Sequence, residues 1–408
     1  MVLATRPVSA AFPWAEAWTT VGVTGTNGKS STTALVAAAL GVDGHPVLSA
    51  TTLGYRLGGR EVPTPGDWDA FLALAEEAGR GGCQRAAVEL TSQVLARGHA
   101  QRWRFDVGVF TNLSEDHLST HGSWEHYLAS KAQLFVHLGP GRTAVLNACD
   151  PVCELLDQVI PADVERLWYG APSRGPFLRT PALAAERVEV SALGTLVRLA
   201  PSALARELGG SLEVAMAGEV FAENALAAAG AALAAGIAGT DVRAGIAGLA
   251  PLPGRFEVVA ERPLVIVDYA HAPDALLRVC TAARELARGS RLIVVFGAGG
   301  GTFPGKRAPM GAAVSGLADL AIITDDNPRD EDPEEIAEGL LAGARGGGAE
   351  LRRRPERRRA IAEALGEAGP EDVVLIAGKG HERGQTRCGE RRPFSDRDVV
   401  LELVSASV

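Results

Sequence analysis

Residues 21–33 read VGVTGTNGKSSTT, and this stretch decides the fold of the first half of the chain. A branched apolar run leads into a glycine-rich turn, a lysine and several hydroxyl residues, the order of a strand, a phosphate-binding loop and a helix start. The glycines let backbone N–H groups point inward, and the lysine adds a cation. We therefore predict a phosphate site for ATP formed by Gly25, Thr26, Asn27, Gly28, Lys29, Ser30 and Ser31.

The loop departs from the full G-x-x-x-x-G-K-[ST] pattern at one position. Val23 stands where that pattern has its first glycine. An ordinary glycine-rich turn without a nucleotide therefore stays an alternative on this stretch alone. If ATP does bind, Ser30 or Ser31 is placed to hold a magnesium ion at the start of the helix.

Composition limits the class of protein. The chain has 408 residues, and 47% of them are apolar. This length exceeds that of one typical domain, so we predict two domains. A net charge of −9 argues against a nucleic-acid partner. The basic run at 352–359 is interrupted by Pro355 and Glu356, and we interpret it as a solvated turn and helix start.

The cysteines and the apolar runs bear on location. Five cysteines, an odd number without a C-x-x-C pair, favour a reducing compartment over a disulfide-linked secreted state. No apolar run approaches the roughly 20 residues of a membrane span, and the first residues lack a signal-peptide pattern. We expect a cytoplasmic protein with small-molecule partners, and leave open whether it is a monomer or a homodimer.

Short branched apolar runs alternate with alanine-rich segments from end to end, which predicts an α/β fold with mostly parallel sheets. Segment 167–218 alternates apolar and polar residues instead, which predicts an attached antiparallel sheet before a helix at 223–235. The predicted strands are 19–23, 46–50, 86–90, 107–111 and 144–147 in the first half, and 264–268, 292–296, 320–324 and 373–376 in the second.

The stretch LAPLPGR at 249–255 separates the two series of strands. We predict a P-loop-type central domain with a mostly parallel sheet plus a small antiparallel sheet, followed by a Rossmann-like C-terminal α/β domain. The expected divisions are an N-terminal extension at 1–17, an ATP-binding domain at 18–249 and an amino-acid-binding domain at 250–408.

Residues 110–135, FTNLSEDHLSTHGSWEHYLASKAQLF, resemble the Mur ligase family. That family typically has T-N-[LI]-x-x-D-H-L-D-x-H-G followed one helix later by a lysine. Further similar segments follow the same order along almost the whole chain, and the last three are typical of the branch that adds the third residue to UDP-N-acetylmuramoyl-dipeptide. The five further segments are VELTS at 88–92, PGRFE at 253–257, DYAHAPD at 268–274, DNPRDEDP at 326–333 and AGKGHE at 377–382.

The resemblance implies ATP-dependent amide formation through an acyl phosphate, with ADP and phosphate as products. Such chemistry needs cations around the γ-phosphate, and the resemblance gives Lys29 and Arg255 that role. In related ligases the lysine that matches Lys131 is carbamylated by CO₂ and supports a metal; an unmodified lysine on a helix surface is the alternative. The implied Mg²⁺ ligands are Ser30, Glu89, His117 and Lys131. The implied catalytic residues are Lys29, His117, Lys131 and Arg255.

The resemblance also assigns the other substrate contacts. Asn224 matches the residue that packs on adenine, Asp268 matches the ribose contact, and His271 lies in the same motif; a helix-capping Asn224 and a structural Asp268 are the alternatives. An arginine binds a carboxylate and acidic groups bind an ammonium, so Arg329 suggests a diaminopimelate-like amino acid. The implied amino-acid site is Asp326, Asn327, Arg329, Gly378 and Glu382, and the implied acyl-substrate contacts are Thr64, Ser92 and His121.

Two departures predict an altered acyl substrate. Some 17 residues precede the first strand, so the resemblance does not include the leading domain that holds the uridine diphosphate in the family. Gly301, Thr302 and Phe303 stand where the family loop G-x-G-G-D-R-D-x-G-K-R has its charged triplet. Synthesis of the true UDP-linked tripeptide and a non-catalytic nucleotide-binding scaffold remain alternatives.

Overall fold

The computed structural model describes residues 17–114, 123–172 and 175–406. The chain divides into two compact units. Counting described residues only, the first unit comprises those of Met1–Glu189, Thr195–Ala215 and Glu219–Leu249, and the second comprises those of Val190–Gly194, Met216–Gly218 and Ala250–Val408.

The first unit is built on a sheet of 11 strands within the described residues. In chain order they are β1 (Thr19–Thr24), β2 (Val47–Thr51), β3 (Gly54–Leu57), β4 (Arg60–Val62), β5 (Arg85–Glu89), β6 (Val107–Phe110), β7 (Thr143–Asn147), β8 (Glu165–Gly170), β9 (Leu183–Ser191), β10 (Gly194–Leu199) and β11 (Ser211–Val214). Their order across the sheet is β11-β10-β9-β8-β7-β6-β1-β5-β2-β3-β4.

The helices of this unit alternate with its strands. They are α1 (Lys29–Leu40), α2 (Trp68–Arg80), α3 (Ser92–Ala96), α4 (His99–Arg102), α5 (Trp124–Val136), α6 (Val152–Val159), α7 (Ala203–Glu207), α8 (Glu219–Ala234) and α9 (Gly239–Gly248). The alanine-rich α8 is almost wholly buried and begins four residues before the predicted helix at 223–235.

The centre of the sheet is parallel. Strand β1 pairs in parallel with β5 on one side and with β6 on the other, and Val21 and Val23 of β1 are fully buried. Strands buried on both faces read as continuous apolar runs, which is why the sequence located them. Because parallel strands end at the same edge of a sheet, the loops after β1, β5 and β6 meet there.

The prediction of an antiparallel sheet over 167–218 is wrong for its first part. Strand β8 pairs in parallel with β7, and β9 pairs in parallel with β8, so both extend the parallel sheet. Strand β10 follows β9 after two residues and lies beside it, and β10 pairs antiparallel with β11, so the expected antiparallel part is formed by the later strands of the segment. An alternating pattern shows that one face is exposed, whereas strand direction depends on the connection, and α6 supplies the crossover that makes β8 parallel to β7.

The sequence prediction missed a hairpin at the other edge. Strands β3 and β4 pair antiparallel around Gly58 and Gly59, with φ angles of 54° and 80°. Two consecutive residues with positive φ favour glycine in a two-residue turn. The Gly-Gly pair between short alternating runs was therefore the available signal.

The second unit contains a six-stranded sheet and a separate antiparallel hairpin in its described part. The sheet order is β12-β13-β17-β14-β15-β16, with β12 antiparallel at one edge and the other strands parallel. The strands are β12 (Glu257–Glu261), β13 (Leu264–Asp268), β14 (Leu292–Phe296), β15 (Leu320–Ile323), β16 (Glu350–Arg353), β17 (Val373–Ala377), and β18 (Gly384–Arg387) with β19 (Glu390–Pro393) in the hairpin.

Helices cover this sheet, and its core is formed by branched side chains of β13, β14, β15 and β17. The helices are α10 (Pro273–Ala287), α11 (Arg307–Ser315), α12 (Pro333–Ala344), α13 (Arg357–Glu367) and α14 (Asp396–Ala406). The predicted α/β class, with a large mostly parallel sheet, a second sheet and a small antiparallel one, is confirmed. None of the helices described here is long and apolar enough to cross a membrane.

The interpretation of 352–359 as a solvated basic run is wrong at Arg357. This side chain is fully buried and donates from Nε and Nη2 to the two carboxylate oxygens of Asp396, at 2.7 and 2.8 Å. It also donates to the carbonyl of Ala377 at the end of β17. A count of local charge does not reveal a partner 39 residues away in the sequence.

Candidate active site

The glycine-rich loop connects β1 to α1 and is tied to the segment after β6. The backbone N–H of Thr26 donates to the carbonyl of Asn112 at 2.7 Å, and that of Asn27 donates to the Asn112 side chain at 3.0 Å. Thr111 donates in return from its hydroxyl to the carbonyl of Asn27, at 2.7 Å. These bonds hold the loop open at the carboxyl edge of the sheet.

Helix α1 begins directly after this loop without a side-chain cap. Its N-cap is Gly28, in the left-handed conformation. Uncapped N–H groups at the start of a helix, together with the helix dipole, favour an anion. Lys29 lies at the same point, and its Nζ donates to the carbonyl of Thr26 at 2.8 Å, while Ser31 is buried in the first turn.

Hard oxygen ligands gather beside the lysine. The Ser30 hydroxyl donates to Oε2 of Glu89 at 2.8 Å, and the Thr52 hydroxyl lies 3.0 Å from that of Ser30. Thr52 also donates its backbone N–H to the same carboxylate oxygen. A carboxylate with one or two hydroxyls suits Mg²⁺, which takes its other ligands from phosphates and water. Thr52 is a member that the sequence prediction missed.

The described residues hold no group of three or more histidine, cysteine, aspartate or glutamate side chains close enough to bind a metal. The described oxygen groups that could hold a magnesium ion are those of Ser30, Thr52 and Glu89, together with phosphate and water ligands. The predicted ligand His117 and the predicted acyl contact His121 lie outside the described residues.

Lys131 reaches the glycine-rich loop from α5. Its side chain is 1% exposed, its Nζ donates to the carbonyl of Gly25 at 2.6 Å, and it lies 4.4 Å from the ring centre of Tyr127. It is therefore not a lysine on a helix surface, the alternative that the sequence left open. A carbamylated lysine keeps one N–H, which could still donate to Gly25, but it would lose the cation–π contact.

Asn224 of α8 packs against the loop. Its side-chain oxygen accepts a hydrogen bond from the hydroxyl of Thr32 at 3.3 Å, and the residue is buried. A Cβ placed on Gly28 would lie 2.4 Å from that oxygen. The asparagine therefore lies inside α8 against the start of α1 and does not cap a helix.

The two predicted acyl-substrate residues within the described part lie in different surroundings. Thr64 is exposed in the loop before α2. Ser92 is 5% exposed at the start of α3. The structure thus leaves Thr64 accessible and buries Ser92.

In the second unit, Asp268 at the end of β13 accepts two backbone hydrogen bonds. Phe256 donates to one carboxylate oxygen and Ala270 to the other, both at 2.7 Å. Burial raises the pKa of Asp268 above its ordinary value, against the opposing effect of Arg255 and the two N–H donors. Both carboxylate oxygens thus bind backbone N–H groups, which fits the alternative that Asp268 has a structural role.

Arg255 lies over an aromatic ring of the same unit. Its guanidinium carbon is 4.6 Å from the ring centre of Tyr269, which also contacts the rings of His271 and His381. His271 is held through a 2.8 Å contact of its Nδ1 with the carbonyl of Tyr269. Stacking of this kind orients a guanidinium.

The predicted amino-acid site brings together residues that follow β15 and β17. Asn327 donates from Nδ2 to Oε2 of Glu382 at 3.0 Å. Gly378 lies so close to Asp326 that a Cβ there would come 2.5 Å from Oδ2, and its φ of 119° also favours glycine. The sequence prediction missed Lys379, which is fully buried within this group.

Arg329 stands apart from that cluster. Its backbone has a φ of 56°, and its Nη1 donates to the carbonyl of Gly300 at 2.6 Å. Its main chain is hydrogen-bonded to Thr386 and Cys388 at the hairpin of β18 and β19. Left-handed conformations at non-glycine residues cost about 1–3 kcal/mol and cluster at functional sites.

The loop that lost its charged triplet packs onto the same turn. Gly300 donates its N–H to the carbonyl of Asn327 at 2.9 Å, and Gly301 donates to the carboxylate of Glu331 at 3.0 Å. A Cβ on Gly300 would lie 1.9 Å from the carbonyl oxygen of Pro328. Gly300 is therefore needed for close packing, whereas a Cβ on Gly301 would lie 3.8 Å from its nearest neighbour, and Phe303 remains 48% exposed.

Comparison with known families covers most of the chain. Residues 23–232 match the model of the Mur ligase middle domain. Residues 254–380 match the model of the Mur ligase, glutamate ligase domain.

Relatives with assigned names are similar over nearly the full chain. A UDP-N-acetylmuramoyl-L-alanyl-D-glutamate--2,6-diaminopimelate ligase of Xanthomonas campestris pv. campestris is 39% identical over 391 residues, which are 94% of this chain and 77% of that protein. The protein of the same name from Geobacillus kaustophilus is 36% identical over 399 residues, 94% of this chain and 78% of that one.

Solved structures agree. A UDP-N-acetylmuramoyl-L-alanyl-D-glutamate--2,6-diaminopimelate ligase structure aligns with a TM-score of 0.66 and 31% identity, over 96% of this chain and 79% of that one. Folylpolyglutamate synthase of Mycobacterium tuberculosis aligns with a TM-score of 0.70 and 21% identity, over 90% of this chain and 89% of that one. At that identity the second similarity concerns the fold alone.

Proposed function

The chain belongs to the Mur ligase family of ATP-dependent carbon–nitrogen ligases, and we propose that it activates a substrate carboxylate as an acyl phosphate and couples it to an amino acid. The observation that carries this proposal is the Ser30–Glu89 contact of 2.8 Å beside Lys29 at the uncapped start of α1. This contact supports the proposal because phosphoryl transfer needs a cation, N–H donors and hard oxygen ligands close together.

In this mechanism the chain's residues mainly position groups and neutralise charge. Lys29 and the first N–H groups of α1 would bind the phosphates, and Ser30 and Glu89 would hold Mg²⁺, which neutralises developing negative charge on the phosphates when bound. The tie between the loop and Asn112 keeps these donors oriented before ATP arrives. Such preorganisation lowers the cost of aligning the transferred phosphoryl group.

We assign three further roles on the family resemblance. Arg255 would supply another cation for the phosphates, with Tyr269 orienting it. Asn224, Asp268 and His271 are proposed to face the nucleoside, although Asn224 and Asp268 already make internal hydrogen bonds. We propose accordingly that domain 18–249 binds ATP and domain 250–408 binds the amino acid.

The amino acid is proposed to bind at Asp326, Asn327, Gly378 and Glu382 through its amine, with Arg329 binding a second carboxylate. The exposed guanidinium of Arg329 suits a dicarboxylic or diaminopimelate-like substrate. The relatives in Xanthomonas and Geobacillus, which carry diaminopimelate in their names, agree with that choice.

Two acyl substrates compete. The uncharged loop at 301–303 favours an altered carboxylate, because the loop packs against the turn that carries Arg329. Identity of 39% over 391 residues favours the substrate in the relatives' name, UDP-N-acetylmuramoyl-L-alanyl-D-glutamate. The second is at least as well supported, and the two call for the same chemistry.

One assay separates these readings. Purified protein with ATP and Mg²⁺ is incubated with diaminopimelate or other amino acids, each with UDP-N-acetylmuramoyl-L-alanyl-D-glutamate or simpler carboxylates, and ADP and the amide are followed by mass spectrometry. We expect ADP only when both a carboxylate and an amino acid are present. ADP release that ignores every carboxylate, or nucleotide binding without turnover, would overturn the ligase proposal, and the accepted carboxylate decides between the two acyl substrates.

A further inference from the structure

The buried side chain of Lys379 lies among Asp326, Asn327 and Glu382, three residues of the predicted amino-acid site. Its Nζ lies 2.9 Å from Oε2 of Glu382, 3.1 Å from Oδ1 of Asn327 and 3.6 Å from Oδ1 of Asp326. The side chain is 0% exposed, so solvent does not share these contacts. A resident ammonium thus binds the groups proposed to receive the substrate's ammonium.

These contacts fix the amide of Asn327 in one orientation. Its oxygen accepts from Lys379 and from the backbone N–H of Thr386 at 3.0 Å, while its nitrogen donates to Glu382. A flipped amide would set its NH₂ group against two donors and its oxygen against a carboxylate. Lys379 therefore makes one orientation much more favourable than the other.

The two carboxylate oxygens of Glu382 have different hydrogen-bond partners. Oε2 accepts from both Lys379 and Asn327. In the described part of the chain, Oε1 takes part in neither contact. The carboxylate is thus held by one oxygen and offers the other to an incoming amine.

The carboxylates around Lys379 differ in exposure. Lys379 contacts Asp326 and Glu382, and Arg357 pairs with Asp396. The side chains of Asp396 and Asp326 are 0% and 6% exposed, whereas that of Glu382 is 31% exposed. Glu382 is therefore the carboxylate of the three that an incoming ammonium can best reach.

The chain's choice of basic residue is unusual at this point. Of its 40 basic residues, 36 are arginine and four are lysine, and the four are Lys29, Lys131, Lys306 and Lys379. Each lies in a motif already described or in the loop before α11. An ammonium is compact and offers three tetrahedral donors, whereas a guanidinium is a wide planar fork. The three acceptors around Lys379 therefore call for a lysine and not merely for a positive charge.

We propose that Lys379 is a positioning residue that orients Asn327 and Glu382 so that Oε1 of Glu382 receives one substrate ammonium. The inference rests on the proposed amide-ligase function and deepens it at the amine site. It acts through Asn327 and Glu382 and does not require Lys379 to touch the substrate.

The first test compares Lys379→Arg and a control variant in the ADP-release assay with the accepted carboxylate and amino acid. For Lys379→Arg, which keeps the charge, we expect the KM for the amino acid to rise about tenfold or more, the effect of losing one charge-assisted hydrogen bond. The KM for ATP should stay within about twofold. Arg383→Met, an exposed residue nearby, serves as the control and should match the wild type.

Lys379→Met could unfold this region, because it leaves buried carboxylates uncompensated. The double variant Lys379→Met with Glu382→Gln removes one charge of each sign. We expect its thermal stability to return toward that of the wild type, because the uncompensated charge is gone. Direct titration of nucleotide-loaded Lys379→Arg with the amino acid gives a second readout of its lost affinity.

The outcomes separate the inference from the function it rests on. If Lys379→Arg has the wild-type KM for the amino acid, charge alone suffices and the positioning role is wrong. If the double variant binds the amino acid as tightly as the wild type, neither Lys379 nor Glu382 serves the amine site and the inference is wrong. If the wild type itself shows no amino-acid dependence, the proposed function fails before the variants are compared.

Discussion

The Nζ of Lys131 lies 2.6 Å from the carbonyl oxygen of Gly25, so that α5 is joined to the glycine-rich loop by a buried hydrogen bond. The two residues are 106 positions apart in the sequence. A lysine in this position can influence the phosphate site whether it is an ammonium or a carbamate. The chemical form of the lysine is therefore a direct question for experiment.

We expect Lys131 to be carbamylated, and we expect substitution of this lysine to reduce activity. Lys131→Met should lower the rate of ADP release about a hundredfold or more, because the site loses an anion that supports the metal. The wild-type peptide that contains Lys131 should gain one CO₂ in bicarbonate, measured by mass spectrometry under non-acidic conditions. Lys131→Arg keeps a cation but cannot be carbamylated, so wild-type activity in that variant would contradict the prediction.

Glu89 should set the requirement for magnesium. Glu89→Gln replaces the carboxylate that accepts from Ser30 and Thr52 with a weaker ligand, and we expect the Mg²⁺ concentration for half-maximal rate to rise about tenfold. A magnesium titration of initial rates measures it. Glu61→Gln, with a side chain 84% exposed on β4, is the matched control. An unchanged requirement in Glu89→Gln would place the metal elsewhere.

Gly28 should tolerate a methyl group less well than Gly44. Both have positive φ angles, 82° and 86°, so alanine at either costs about 1–2 kcal/mol in backbone strain. At Gly28 the new Cβ would also meet Asn224, at 2.4 Å, whereas at Gly44 no atom lies within 4 Å. Chemical denaturation should show a larger loss for Gly28→Ala, with a raised KM for ATP. Equal losses would mean that Asn224 moves away freely.

Arg357 and Arg358 are neighbours in α13 with opposite surroundings. Arg357 and Asp396 are fully buried, so Arg357→Met should lower the free energy of unfolding by about 3–5 kcal/mol by leaving a buried carboxylate unpaired. Arg358 pairs with Glu402 at the surface, and Arg358→Met should cost less than about 1 kcal/mol. Denaturant unfolding measures both. Similar costs would show that the buried pair is readily replaced by water.

His99 should make the protein sensitive to acid. Burial, aided by Arg102 and Arg97 and opposed by Asp69, lowers the pKa of His99 from 6.5 to about 4. The unfolded chain takes up the proton first, so stability should be lost as the pH falls from about 6.5 to about 4. His99→Phe keeps an aromatic ring against Trp68, which stacks at 4.3 Å.

Thermal unfolding between pH 4 and pH 7 tests this sign. The wild type should lose stability over that window, and His99→Phe should lose less of it. His126→Gln, an exposed histidine on α5, should behave like the wild type. A wild-type slope in His99→Phe would show that another group controls the acid response.

The local pattern of the sequence was enough for much of the fold. Strands such as β1, β13 and β17 were located because residues buried on both faces form continuous apolar runs. The phosphate loop was also local, since Gly25, Gly28 and Lys29 are nearly adjacent in the chain. The family followed from short motifs in a fixed order, which do not depend on knowing how the chain folds.

Tertiary structure decided how distant parts combine. The direction of β8 depended on the crossover before it, and the burial of Arg357 depended on Asp396 in another helix. Neither property is encoded within a short window, because strand pairing and salt bridges are formed by whichever elements become neighbours.

For the candidate site, too, some properties follow from the sequence and others from the tertiary structure. The sequence by itself determined the glycine-rich loop between a strand and a helix and the motifs of the Mur ligase family. Only the folded chain decided that Glu89 faces Ser30, that Lys131 is buried against Gly25 and that Lys379 lies among Asp326, Asn327 and Glu382. The physical reason is that side-chain chemistry is set residue by residue, whereas distance, burial and hydrogen-bond partners arise when strands and helices far apart in sequence pack together.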